Sequence, residues 1–461
     1  MKIKYILTSL LIIFSLKFYS QSWQNEVDFT INHGDVFPSN WTSTYNNTID
    51  FAFSVSNEPI VAYSRESDMQ LIVLKFDGTS WNMVGDLSFL SLSVGQVEIE
   101  VTSDDNIFIA FTDVDFQNLN IIKFDGLSWS YVAQNIADDK ARELELDKDS
   151  NDNIYIAYKD SFNGDKATVK KCDFINNNII TVGVEGFTAT DIYHLKLDIN
   201  PLTKEPYIIY SNNQKAYVYK FDGMLWNQVG NDIFYENFDS GGGQIIGSVG
   251  KIDISFSSNG ELLACTTEYL NGAGFSQSYA YIFENDNWTP TAIASSDAPM
   301  LNSESDNNGN IYFAISNRLA DDPYGIIFIK YSNGTFETLE MVDNGSHFAS
   351  YFEMNFDNNN IPYIIYNPVI ISNSHIKKFS TNLDLNEFNQ NNLSVFPNPT
   401  LDFITVTSLV QRSNFKLYDI LGKMILTGIV SENEKIDLSI LNKGMYFLKI
   451  EEFTPLKITK K

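Results

Sequence analysis

One unit recurs along this chain at a nearly fixed interval, and that recurrence constrains the fold more than any single residue does. It reads as a strand ending in Lys-aromatic, an Asp-Gly type of turn, then Trp and Val: KFDGTSWNMVG from Lys75, KFDGLSWSYVA from Lys123 and KFDGMLWNQVG from Lys220. Degenerate copies begin at Lys171, Ile282, Lys330 and Lys378, so successive starts are 48, 48, 49, 62, 48 and 48 residues apart. Upstream of each copy stands a polar turn and an apolar run closing on an aromatic, as in EPIVAY at 58–63, NIFIAF at 106–111 and EPYIIY at 205–210. An alternating strand such as VEIEV or LELEL precedes that run. Each repeat therefore supplies four strands, a to d, with a hairpin turn between c and d. Four strands per unit, seven times over, is the make-up of a β-propeller with seven blades. No window sustains a helical period.

The ends of the repeat array fit ring closure. The seventh copy stops at Lys378-Lys-Phe without its Trp strand, and the stretch 22–29, SWQNEVDF, matches the missing piece. Residues 22–29 are thus expected to close the last blade, which removes an open sheet edge. The expected propeller spans 21–381.

In such a ring strand a lines the central channel. Aligning the copies puts Asp50, Glu98, Glu143, His194, Asp253, Asn302 and Glu353 in one tier and Ala52, Glu100, Glu145, Lys196, Ser255, Glu304 and Asn355 in the next. Two readings stand side by side. Either these are solvated walls of a water-filled channel, or the carboxylates Asp50, Glu98, Glu143, Asp253 and Glu353 converge on a hard cation such as Ca²⁺, which takes oxygen ligands. The Asp/Asn-rich a–b turns at 147–153 and 306–310 read as Asx turns, and the first lacks the Gly and Glu of an EF-hand loop.

Length variation points to the opposite rim. The 62-residue interval contains an insertion at 230–250 with Tyr235 and Phe238, and the b–c loops of the next two blades are long as well. Those loops carry Tyr269 and Phe275, then Arg318, Asp321, Asp322 and Tyr324. Long loops gathered on one rim of a rigid scaffold are where binding usually resides. Aromatics with carboxylates and one Arg suit a glycan or a peptide.

Signs of catalysis are sparse. His33, His194, His347 and His375 fall at unrelated repeat positions, and Cys172 and Cys265 lie inside strands as expected buried thiols. No catalytic residue is singled out, so a binding protein is expected over an enzyme. Charge excludes another class of partner. Residues 21–392 hold 19 Lys and Arg against 51 Asp and Glu, a formal −32. Nucleic-acid binding needs clustered cations and is excluded.

The two termini carry addresses. Lys2 and Lys4 precede an apolar run at 5–16 and the chain then reaches Ser20-Gln21, so residues 1–20 read as a secretory signal peptide. No other apolar stretch is long enough to span a bilayer, so no transmembrane segment is expected in the mature chain. An Asn-rich linker at 382–392 leads to residues 393–461, whose short alternating strands suggest a small Ig-like β-sandwich. Three motifs stand in order there: Pro397-Asn398-Pro399, the turn from Tyr418-Asp419 to Gly422-Lys423, and Gly444-Met445-Tyr446 leading to Lys460-Lys461. By these motifs the segment resembles the type A C-terminal sorting domain of the type IX secretion system of Bacteroidota. The resemblance implies a partner in the type IX machinery, passage across the outer membrane, and release or attachment at the cell surface. The expected protein is an all-β, secreted or surface-attached propeller that recognises a glycan or peptide and serves in adhesion. The alternative is an extracellular glycoside hydrolase or polysaccharide lyase with its site at the channel mouth.

Overall fold

The structure is a computed structural model. It describes the chain except residues 1–21, 26–47, 66, 116, 174–177, 213, 235–247, 270–275, 297–299, 318–324, 343–348, 369–374, 381–393, 408–411, 420–422 and 451–455. The expected signal peptide and linker lie outside the described residues. These form two compact units, one within Gln21–Thr381 and one within Asn382–Lys461.

The first unit contains seven four-stranded antiparallel sheets. Blade 1 runs Ile49–Phe53, Pro59–Ser64, Leu71–Phe76, Trp81–Met83, and blade 2 runs Val94–Val101, Ile107–Asp113, Leu119–Phe124, Trp129–Ala133. Blades 3 to 6 repeat the pattern, with strand a at Ala141–Lys148, His194–Ile199, Ser248–Phe256 and Leu301–Ser305. Blade 7 starts with Ala349–Phe356 and takes its outermost strand, Ser22–Asn25, from the start of the described chain, with Trp23 opposite Phe379. Each strand a lies beside the next, and Ile49–Phe53 also meets Ala349–Phe356, so the ring closes. At that closure the Tyr351 hydroxyl donates to the Ile49 carbonyl (2.6 Å) and Asn355 Nδ2 to the Phe51 carbonyl (3.1 Å).

The apolar core is divided into wedges between blades. Val73, Ile99 and Ile109 join blades 1 and 2, for example, and Val218, Ile254 and Tyr279 join blades 4 and 5. Every blade is covered on both faces, which explains why strand b is a continuous buried run, as in Ile107–Asp113.

Two repeating devices lock neighbouring blades. In the a–b turns one residue per blade sits in the left-handed region: Asn57, Asp105, Asp152, Lys204 and Asn360 at φ 60–65°, with Gly260 and Gly309 in the other two blades. At four of the seven junctions this side chain accepts an amide of the neighbouring turn. Val55 N donates to Asp105 (2.9 Å), Ser103 N to Asp152 (3.0 Å), Asn307 N to Asn360 (2.8 Å) and Asn358 N to Asn57 (2.8 Å). Within the turns, Asp149 and Asp306 accept backbone amides of their own loops. The Asx-rich turns are therefore the fasteners of one rim.

The second device uses the recurrent Trp and the Val-Gly that follows it. Indole Nε1 of Trp129, Trp226 and Trp288 donates to the carbonyl of Val84, Val182 and Val229 in the preceding blade, at 2.7, 2.7 and 2.9 Å. The next residue is Gly85, Gly183 or Gly230, each at φ 64–80°, and a Cβ there would fall 2.8–2.9 Å from the same indole.

The second unit is a sandwich. A three-stranded sheet of Ser394–Phe396, Phe403–Thr407 and Lys435–Asp437 faces a four-stranded one of Met424–Val430, Ser413–Asp419, Gly444–Ile450 and Leu456–Lys460. Ile404, Val406 and Ile436 from one sheet pack with Leu417, Leu448 and Ile458 from the other. Among the described residues no helix is long and apolar enough to cross a membrane.

Candidate functional site

Cross-strand pairing shows which channel residues share a tier. Asp50, Glu98, Asp253, Asn302 and Glu353 lie opposite Ala62, Ala110, Cys265, Ala314 and Ile365, the same position of strand b in each blade. In blades 3 and 4 the residues in that register are Glu145, opposite Ala157, and Lys196, opposite Ile209. Glu143 and His194 stand two residues nearer the d–a rim. The next tier inward accordingly holds Asp147, opposite Tyr155, and Asp198, opposite Tyr207, with Glu100, Ser255, Glu304 and Asn355.

The first tier is thus five carboxylates, one Asn and one ammonium. Lys196 Nζ lies 3.2 Å from Glu145 and within the fields of Glu353, Asp253 and Glu98. Burial works to lower its proton affinity, yet these carboxylates hold it well above the ordinary lysine range. The carboxyls respond in kind. Burial, reinforced by Glu353, pushes Asp50 up to about 7 although Ile99 N and Phe51 N donate to it. Burial likewise pushes Asp253 up to about 6 against the pull of Lys196. Glu98 and Glu145 are raised well above the ordinary range, chiefly by burial. Asn302 bridges the far side, with Nδ2 donating to Glu353 (2.8 Å) and lying 3.4 Å from Asp253. Of the five acids weighed as ligands for a hard cation, Glu98, Asp253 and Glu353 thus lie, with Glu145, in the field of a cation that the chain itself supplies. Among the described residues no three His, Cys, Asp or Glu side chains are grouped to hold a metal ion.

Toward the d–a rim the channel wall opens between blades 4 and 5. A cleft of about 230 Å³ is lined by His194, which begins strand a of blade 4, and Tyr193 just before it, by Ser248 to Lys251, which begin strand a of blade 5, and by Tyr269, which ends strand b of blade 5. Tyr193 is 52% exposed and Tyr269 39%. Gly250 has a specific reason to be glycine: a Cβ there would lie 2.5 Å from the Tyr269 ring and 2.8 Å from Thr267 Oγ1. The ring of Tyr269 crosses bare backbone at this bulge between Val249 and Ile252.

Behind His194 stands Glu143. His194 Nδ1–H donates to Glu143 Oε2 (3.1 Å), because a carboxylate can only accept; in the neutral ring this leaves Nε2 as the acceptor. Burial would raise Glu143, but the hydrogen bond and charge of His194, with Lys251 and Lys159, carry it below its usual range. Glu143 occupies φ 47° inside a bulge between Arg142 and Glu145. Bulges of this kind re-aim a side chain and are common beside active sites. Burial holds Lys251 below the ordinary lysine range.

The expected ligand residues divide by location. Tyr269 lines the cleft, whereas Tyr235, Phe238, Phe275, Arg318, Asp321, Asp322 and Tyr324 lie outside the described residues. Loop length as a criterion passed over Tyr193, just before strand a of blade 4, and Lys251, within strand a of blade 5. Lys251 was nonetheless legible, since it sits two residues before Asp253 and therefore on the same face.

In the second unit the expected sorting motifs organise the last strand. Asn398 Nδ2 donates to the Lys457 carbonyl (2.6 Å) and its Oδ1 accepts Thr459 N (2.9 Å), so one amide side chain clamps both sides of the chain. Thr400 adds backbone bonds to Thr459 and Lys461. Asp419 closes its turn by accepting Lys423 N (2.9 Å); Tyr418 precedes it in the strand, and Gly422 lies outside the described residues. Gly444 pairs with Lys460, and the Tyr446 hydroxyl donates to Asn442 O (2.9 Å). Lys460 is 8% exposed and donates to Leu401 O, so the basic end is half structural. Asn398→Ala removes both clamp bonds, a loss of about 1–2 kcal/mol. It is expected to speed hydrogen exchange at Thr459 and to lower the fraction of protein reaching the cell surface. Unchanged exchange would exclude the clamp.

The family model for the secretion system C-terminal sorting domain matches residues 394–461. No curated protein matches the chain. Solved structures with a similar fold include AofleA from Arthrobotrys oligospora (9% identity, 71% of this chain, 90% of that one, TM-score 0.41). The polysaccharide lyase Uly1 is another (8%, 76% and 92%, TM-score 0.47), as is an oligogalacturonate lyase from Vibrio parahaemolyticus (9%, 78% and 96%, TM-score 0.46). Likeness at this level bears on neither activity nor ligand. The family match and the motif geometry together identify the C-terminal unit: residues 394–461 are a type IX secretion system C-terminal sorting domain, and the chain is a cargo addressed to the cell surface.

Proposed function

We propose that this protein is a cell-surface propeller that binds an extracellular glycan at the cleft between blades 4 and 5. The observation that carries this reading is the pair of exposed tyrosines, Tyr193 and Tyr269, flanking a cleft that also presents His194 and Lys251. Tyrosine offers an apolar face with a polar tip, which suits a sugar ring. At about 230 Å³ the cleft is smaller than the ~300–1,000 Å³ of pockets that enclose a compact ligand. It suits one unit of a longer polymer lying across the rim.

A glycan-array screen of the purified protein tests this. Tyr269→Ala and Tyr193→Ala are each expected to weaken the binding of any hit tenfold or more with an unchanged melting temperature. Binding that ignores both substitutions overturns the assignment of the site. A second reading, an enzyme at the channel mouth, is favoured by one observation, the His194–Glu143 hydrogen bond, since an oriented imidazole is the usual general base. Product analysis on every array hit separates the two. A shortened or unsaturated oligosaccharide that disappears in Glu143→Gln assigns the enzyme.

A further inference from the structure

We infer that the sugar unit seated between blades 4 and 5 is acidic, its anionic group pairing with Lys251; this rests on the glycan-binding reading above. Cations are scarce in residues 21–392, and most of the described lysines are spoken for. Lys75, Lys148, Lys159, Lys170, Lys196, Lys215 and Lys220 each form an ion pair, with Glu58, Glu100, Asp165, Glu185, Glu145, Asp232 and Glu205 respectively. Lys123, Lys171, Lys330 and Lys377 lie over aromatic rings. Lys251 does neither among the described residues, although it is half-buried and lines the cleft.

Removing this ammonium from water without a carboxylate at ion-pair distance carries a desolvation cost that the fields of Glu143, Glu353 and Glu145 do not fully offset, as its lowered proton affinity registers. In a chain this rich in carboxylates, partnering it with one would have been the easy solution. The neighbouring acid, Glu143, is engaged instead by His194. Glu143 keeps its charge, but its hydrogen bond goes to His194, so the Lys251 ammonium keeps its own hydrogen-bonding capacity for an incoming group. A sugar carboxylate or sulfate satisfies Lys251 and removes the cost, with Tyr193 and Tyr269 beside it.

The test is titration of the whole protein with three probes: an alginate trisaccharide, its methyl ester, and a sulfated dextran trisaccharide. The expected result is binding of one or both acidic probes and at least tenfold weaker binding of the ester. Lys251→Met is expected to lose the acidic probe tenfold or more, and Lys251→Arg to retain most of it, with both variants melting within a few degrees of the parent. The alginate and sulfated arms tell carboxylate from sulfate as the anion. If the ester binds as tightly as the acid and Lys251→Met changes nothing while Tyr269→Ala still weakens binding, the acidic ligand is overturned and the glycan site stands. If no probe and no array glycan binds, both fall.

Discussion

Replacing Lys196 with Met is expected to lower the melting temperature at pH 8 by about 5–10 °C, and by much less at pH 5. The substitution keeps the stem and removes the ammonium that Glu145, Glu353, Asp253 and Glu98 surround. Deleting one partner of a buried ionic cluster costs roughly 3–5 kcal/mol, because the remaining charges stay buried and uncompensated. The pH dependence follows from the carboxyls. Asp50 and Asp253 titrate at about 7 and about 6 in the folded chain, against an ordinary 3.8. The folded state therefore binds more protons than the unfolded state between these limits. The contribution of these two carboxyls to stability is fully present below about pH 4 and is lost as pH rises through 6 to 7, in the parent protein too. Lys196→Met removes the cation that opposes burial at Asp253, Glu98 and Glu145, raises those three carboxyls further and steepens the slope. Thermal melts of both proteins from pH 4.5 to 8.5 check this. A variant that matches the parent at pH 8 would show that the channel acids are not held around this ammonium.

The second large effect concerns glycine. Gly85→Ala, Gly183→Ala and Gly230→Ala are each expected to cost about 2–5 kcal/mol, whereas Gly78→Ala, Gly126→Ala and Gly223→Ala cost about 1 kcal/mol. All six positions have positive φ, so the backbone penalty is common to both sets. They differ in what a Cβ meets. At Gly78, Gly126 and Gly223 there is nothing within 4 Å. At the other three the methyl runs into Trp129, Trp226 or Trp288, and those rings are pinned by their hydrogen bonds to Val84, Val182 and Val229. Chemical denaturation of the six variants separates the two terms. Equal losses in both sets would mean that the indoles yield, and that the Trp-to-Val bond is not what joins the blades.

Much of the fold was legible in the repeat itself. Four strands per copy, seven copies and the orphan Trp strand at 22–29 lead to the seven sheets and to Ser22–Asn25 beside the last of them. The recurrent Trp was legible as packing, but not as a donor across blades, because its acceptor belongs to the previous repeat. The sorting domain was legible from three short motifs, although Asn398 as a clamp on Lys457 and Thr459 requires the two segments to be paired. The cleft was half legible. Loop length drew attention to Tyr269, while Tyr193 borders one strand and Lys251 lies within another, and neither gave such a signal.

The channel shows most sharply what each level of information decides. Alternation within strand a is enough to say that Glu143, Glu145, Asp147, His194, Lys196 and Asp198 all face inward, because side chains on a strand repeat with period 2. A slip of one residue would have buried the wrong face and been visible in the sequence. A slip of two residues leaves every side chain on its own face, so the pattern cannot detect it. Only the pairing of Glu145 with Ala157 and of Lys196 with Ile209, set by the bulge in blade 3 and the register of blade 4, places an ammonium among the ring acids and leaves Glu143 with His194 at the rim. Periodicity determined the blades and their inward faces, and the motifs of the C-terminal segment the export address; tertiary pairing decided which charges meet, since that depends on a neighbouring strand and not on the strand's own order.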